Sequence, residues 1–115
     1  MKKLLYSPDY REKIIRLKND LDIKYGQEVR RKVLAEIDHS IRLLRTRPHM
    51  GISLRTMYGF DCEFCYICVS PNLIFYEVGE DAIYILNMYH EKEDYMIKFL
   101  SKGYKLHEEA VPWTK

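Results

Sequence analysis

The stretch Asn72-Leu73-Ile74-Phe75-Tyr76-Glu77-Val78-Gly79-Glu80-Asp81-Ala82-Ile83-Tyr84-Ile85-Leu86-Asn87-Met88-Tyr89 decides the fold class. Leu73 to Val78 and Ala82 to Tyr89 are runs of β-branched and aromatic residues, and Gly79-Glu80-Asp81 between them is a turn. Two such runs joined so closely pair as antiparallel strands. Upstream, Pro71-Asn72 is another turn signal, and Cys62 to Val69 has the same strand-like composition. Ile52-Ser53-Leu54-Arg55-Thr56-Met57 alternates apolar and polar residues, the period of a further strand. This half of the chain therefore predicts an antiparallel meander. Lys3 to Tyr6 is short and β-prone enough to add an edge strand.

The N-terminal half has a different period. Ser7-Pro8-Asp9 is a helix start: Ser7 caps, Pro8 suits the first helical position, and Asp9 complements the positive end of the helix dipole. Tyr10, Ile14, Leu17 and Leu21 recur at helical spacing, and Gly26 ends the run. Val29, Val33, Ile37, Ile41 and Leu44 form the stripe of a second helix, with Leu34 beside it, opposite a face carrying Arg30, Arg31, Glu36, Asp38 and Arg42. Pro48 and Gly51 close that helix. So short a link predicts an antiparallel helical hairpin. Glu91 to Leu100 predicts a last short helix, and about residues 101–115 a polar tail apart from Val111 and Trp113. The fold class is α+β: a helical hairpin packed on a twisted, mostly antiparallel sheet.

Composition bounds the rest. The 115 residues set one domain, 1–115, and 47% hydrophobic with 31% charged residues is the balance of a globular protein. A net charge of +2 identifies no polyanion partner; only clustering would. No apolar run is long enough to cross a bilayer. The apolar start of the chain stops at Ser7-Pro8-Asp9, leaving no signal-peptide core, so a cytoplasmic location is expected. Three cysteines, an odd number, argue against a disulfide framework. Cys62, Cys65 and Cys68 have the spacing CxxCxxC, but a strand turns Cys65 away from the other two, and no fourth thiol or suitably spaced His completes a site. No metal and no cofactor is expected. The sequence has no phosphate-cradling Gly loop and no nucleophile elbow. The ten tyrosines, among them Tyr66, Tyr76 and Tyr84, sit where aromatic cross-strand packing is expected.

The strand sequences Asn72 to Val78 and Ala82 to Asn87, the ending Glu93-Asp94-Tyr95, the early Tyr6-Ser7-Pro8 and the rhythm from Leu44 to Gly51 together resemble the RelE/ParE superfamily of toxins. The resemblance covers roughly residues 3 to 100. It implies the toxin of a bacterial type II toxin–antitoxin pair, inhibiting growth and blocked by a cognate antitoxin whose partly disordered tail wraps the toxin. It places that contact on the hairpin and on the exposed strand at the sheet's edge, with Leu17, Val33 and Ile37 as candidates.

The superfamily has two activities. RelE-like members cut mRNA on the ribosome, and ParE-like members inhibit DNA gyrase. The nucleases put an Arg just before the "-IFY-" of the strand, where this chain has Asn72-Leu73, and often an Arg before "-DY-", where it has Glu93. These departures tilt the expectation toward gyrase. An mRNA endonuclease would draw on Arg55, His90, Lys92 and Tyr95: His90 as acid or base, Lys92 or Arg55 to hold the phosphate. Arg45 and Arg47, at the end of the second helix, are candidates for nucleic-acid contact, although the helix dipole alone accounts for them. A decayed toxin that only binds its antitoxin is the third alternative.

Overall fold

The computed structural model describes residues 1–104. Nine elements follow one another: β1 (Lys3–Tyr6), α1 (Pro8–Tyr25), α2 (Gln27–Leu43), β2 (Ile52–Ser53), α3 (Leu54–Tyr58), β3 (Phe64–Val69), β4 (Asn72–Val78), β5 (Ala82–His90) and α4 (Tyr95–Ser101). The five strands form one sheet in the order β1-β5-β4-β3-β2. Every pairing is antiparallel except that of β1 with β5, which sets Leu4 beside Ile83. This is the expected α+β architecture, including the N-terminal edge strand.

The helical hairpin follows from its caps. Ser7 Oγ accepts from the Tyr10 amide at 3.0 Å and starts α1. Gly26, with φ at 89°, both ends α1 and begins α2, so the two helices share a one-residue joint. Tyr10, Ile37, Ile41 and Leu44 bury one face of the hairpin against Cys65, Ile67, Ile74, Tyr76, Ile83, Ile85 and Met88 of the sheet. Each such aliphatic side chain contributes about 1.5–3 kcal/mol by leaving water. Val29, expected to continue the α2 stripe, stands in the first turn of α2 and is exposed. The opposite face of the sheet carries a second, more aromatic cluster: Leu54, Tyr66, Leu73, Phe75, Leu86, Tyr89 and Phe99. Phe75 stacks on Phe99 at 4.2 Å between ring centres.

Three expectations need correction. Ile52 to Met57 is not a long strand: only Ile52–Ser53 pairs with β3, and α3 follows at once. Ser53 Oγ caps that helix through the Thr56 amide at 3.2 Å, and left-handed Gly59 closes it. Leu54 is anchored in the aromatic cluster while Ile52 is exposed, so the apparent alternation did not mark a buried strand face. Arg55 consequently sits on a helix. The last helix starts at Tyr95, not Glu91, because residues 91–94 form a turn. The expected polar tail began too early as well: Ser101 closes α4 and Tyr104 packs on the aromatic cluster. Val111 and Trp113, with the rest of 105–115, lie outside the described residues.

Fully buried Tyr76 fastens the link between α2 and β2. Its hydroxyl donates to the Pro48 carbonyl at 2.8 Å and accepts from the Gly51 amide at 3.2 Å. A Cβ on Gly51 would meet Tyr76 Oη at 2.5 Å and the Tyr66 carbonyl oxygen at 2.6 Å. Gly51→Ala is therefore expected to lower stability by about 1–3 kcal/mol, as overpacking does. An unchanged urea midpoint would show that this link is not closely fitted.

Candidate functional site

One surface and one internal network stand out. The surface is a groove of about 380 Å³ between α1, α2 and β1. Tyr6, Tyr10, Ile14, Leu34, Ile37 and Ile41 line it, and Ile15 stands on its lip at 58% exposure. Arg11, Lys18 and Asp38 edge it. Apolar walls with a charged rim suit an amphipathic helix or extended segment. Of the expected contact residues, Ile37 forms part of the lining. Leu17 and Val33 are half-buried and pack against the core cluster.

The internal network surrounds an irregularity in β5. Phe75 pairs with Asn87 but the next residue, Tyr76, pairs with Ile85, so Leu86 is an extra residue in β5. Such a bulge leaves main-chain groups without ladder partners. Side chains from distant parts of the chain satisfy them. Ser7 Oγ donates to the Leu86 carbonyl, and Tyr104 Oη lies 3.2 Å from the same oxygen. Asn87 Oδ1 accepts from the Met88 amide at 2.8 Å, and Lys13 Nζ donates to the Met88 carbonyl at 2.8 Å. Asn87 also donates to the hydroxyls of Tyr89 and Tyr104. Tyr104 Oη completes the network by donating to Asp9 Oδ2 at 2.6 Å. Burial, then the bond to Asp9 and the carboxylate charge, push the Tyr104 phenol well up. Burial lowers the Lys13 pKa despite the opposing pull of Glu93.

The candidate catalytic residues are each held by neighbours. Arg55 lies on α3 and pairs with Glu63 at 2.8 Å and Asp61 at 3.3 Å, and its Nε donates to the Cys62 carbonyl. His90 ends β5, and its Nδ1 accepts from the Lys92 amide at 3.1 Å. Its own amide donates to Glu93 Oε2, whose other oxygen takes Lys98 at 2.8 Å. Burial pushes the Glu93 carboxyl up, but Lys98 and the His90 amide outweigh it and hold the group below the usual carboxylate value. Tyr95 begins α4 with its ring against Tyr66 and Phe75. His90 and Lys92 thus share one turn, Tyr95 follows on α4, and Arg55 is spent on a separate acidic loop.

The basic candidates behave similarly. Arg45 Nε donates to the Lys2 carbonyl at 2.9 Å and ties the end of α2 to the chain before β1. Arg47 is exposed in the turn after α2. Cys65 is buried, Cys68 is exposed, and Cys62 lies before the strand. Among the described residues, no group of three His, Cys, Asp or Glu is placed to hold a metal, and no helix is long and apolar enough to cross a membrane.

A family model described as "ParE toxin of type II toxin-antitoxin system, parDE" matches residues 4–95. The chain belongs to the ParE toxin family. The matched span runs from β1 to the first residue of α4, so it takes in the hairpin, the whole sheet and the bulge. A solved structure of the chromosomal ParDE TA system from P. aeruginosa is similar in fold, with a TM-score of 0.64 and 14% sequence identity. That match covers 78% of this chain and 96% of the other. Comparison with curated proteins gave no match.

In this ParE-family chain the sequence pointed to the hairpin as a contact surface but not to the bulge network. The one available signal was Asn87, a carboxamide inside an otherwise apolar and aromatic strand. The aromatic cluster also sets an alkaline limit. Burial pushes Tyr89 up to about 12, and burial together with the Tyr58 hydroxyl does the same to Tyr66. Tyrosines of the unfolded chain ionise at about 10. The stabilisation from these raised values is therefore complete below about pH 10 and is lost as pH rises toward about 12, at about 1.4 kcal/mol per pH unit for each group. Thermal melts combined with phenolate absorbance should show the melting temperature falling across that window. Tyrosines titrating at the free value in the folded protein would contradict this.

Proposed function

We propose that this chain is a ParDE-type toxin that arrests growth by holding a protein target, DNA gyrase, and does not cut RNA. The observation that carries the reading is the charge where a phosphate would have to sit. Arg55 is paired by Asp61 and Glu63, and the turn after β5 presents Glu91, Glu93 and Asp94 around Lys92. Carboxylates repel the phosphodiester that an mRNA endonuclease must bind. A bound protein target imposes no such condition. Gyrase works in the cytoplasm, the location expected for the chain.

The groove between α1 and α2 is the surface proposed for the cognate antitoxin. Its apolar lining accepts one face of a helix. Residues 1–50 carry thirteen Lys and Arg against seven Asp and Glu, which favours an acidic tail. Ile37 contributes to the groove floor, while Leu17 and Val33 support it from the core side. A charge at Leu17 or Val33 would therefore mix lost contact with lost stability. Ile15→Asp avoids this, because Ile15 already faces solvent. It is expected to weaken the antitoxin complex by about tenfold or more, as removal of an apolar anchor does. Unchanged affinity with unchanged far-UV circular dichroism would move the antitoxin elsewhere.

The activity itself is tested by brief induction of the chain without an antitoxin, with transcript 5′-end mapping, and by a supercoiling assay with purified gyrase. Growth arrest, inhibited supercoiling and no codon-aligned cuts are expected, and His90→Ala should leave the arrest intact. New cuts at a consistent codon position would make the chain an mRNA endonuclease. Absence of arrest would leave an antitoxin-binding module alone.

A further inference from the structure

The described residues cover the sheet face opposite the hairpin incompletely. α3 and α4 lie on it, and between them they expose Met57 (57%), Tyr58, Phe60, Ile97 (66%) and Leu100 (45%). Single exposed apolar residues are ordinary, but these are grouped. The Tyr58 and Phe60 rings stack at 5.7 Å, and Tyr58 shares a shallow groove of about 240 Å³ with Glu93 to Ile97. Ile97 and Leu100 are three residues apart on α4 and extend the same patch along one helix face.

The rim of this patch has the opposite charge to the rest of the molecule. Over residues 55–63 and 90–98, five carboxylates (Asp61, Glu63, Glu91, Glu93 and Asp94) stand against three cations (Arg55, Lys92 and Lys98). Arg55 is committed to Asp61 and Glu63, and Lys98 to Glu93. The chain as a whole is +2. A nucleic acid is disfavoured here, since its phosphates would meet that acidic rim. A second copy is disfavoured too, because a two-fold contact sets the same patch against itself and brings like charges together.

We infer that the α3–α4 face is where this toxin holds its target, and that it takes a protein segment whose apolar side chains are flanked by Lys or Arg. This rests on the reading that the toxin acts by binding a protein. Tyr58, Phe60 and Ile97 supply the apolar anchors. The carboxylates steer the approach and reject acidic segments. The antitoxin groove lies on the other side of the sheet, so substitutions on this face should leave antitoxin binding as it is.

Two probes test the surface independently of the target's identity. The first is a synthetic amphipathic Leu/Lys peptide, titrated into the labelled chain and compared with the same peptide carrying Glu for Lys. The basic peptide should shift amides of residues 57–60 and 94–100, and the acidic peptide should not. The second is purified gyrase. Ile97→Lys is expected to weaken inhibition of supercoiling by at least about tenfold, with antitoxin affinity and circular dichroism retained. Asp94→Lys, an exposed charge reversal with little structural cost, should act in the same direction. Shifts elsewhere, equal response to both peptides, or variants that inhibit gyrase as the parent does would overturn the assignment. A concentration-dependent dimer that Ile97→Lys dissolves would give the face to self-association and overturn it as well. If the basic peptide maps to this face but the parent leaves gyrase unaffected, the surface stands and the gyrase reading falls.

Discussion

The bulge at Leu86 is the constraint around which the chain is arranged. An extra residue in a central strand leaves buried carbonyl and amide groups that must find partners, at a cost of about 1–3 kcal/mol for each one left unmade. Here the partners come from the start of α1, in Ser7 and Lys13, and from the bulge itself, in Asn87, whose side chain is held by Tyr104 from beyond α4. Ser7 caps α1 and donates to the Leu86 carbonyl with the same hydroxyl, so the helix start is registered against the sheet. The bulge also lets Ile85 and Met88, three residues apart, face the helical hairpin together.

On this frame the two sides of the sheet diverge. One is covered by long helices, is rimmed mainly by cations, and has an apolar groove between α1 and α2. The other is aromatic and acid-rimmed, and among the described residues it is covered by the short α3 and α4 with Tyr104. A protein built this way can present different surfaces to two partners of opposite charge. Among the described residues the edges of the sheet are β1, with four residues, and β2, with two, and both are too short to offer much unpaired backbone.

Most of the architecture was legible because it rests on period and punctuation. Ser7-Pro8, Gly26, Pro71 and the turn at 79–81 mark the element boundaries, and the apolar period names each element. What failed was local. Ile52 and Leu54 fit a strand period over too few residues to exclude a capped helical turn, and Ser53 with Gly59 decided for the helix. Tyr104 was lost among polar neighbours, because its partners Asp9 and Asn87 are far away in sequence. The candidate site was less legible than the fold. Helical spacing shows that Leu17 and Val33 are apolar-facing, but not whether a sheet or a partner covers them. The patch on α3 and α4 depended on a helix the sequence pattern did not predict.

The parallel seating of β1 against β5 has a consequence during synthesis. Leu4 leaves the ribosome long before its neighbour Ile83 exists, so the first strand waits for the hairpin, α3 and strands β2 to β4 before it can pair. Contacts so distant in sequence form late and slowly. Until β5 emerges, the hairpin has only part of the sheet to pack on and the bulge that registers α1 does not exist. The packed face of the hairpin is therefore withheld until β5 has been made, and a product truncated before β5 lacks the strand on which the fold closes.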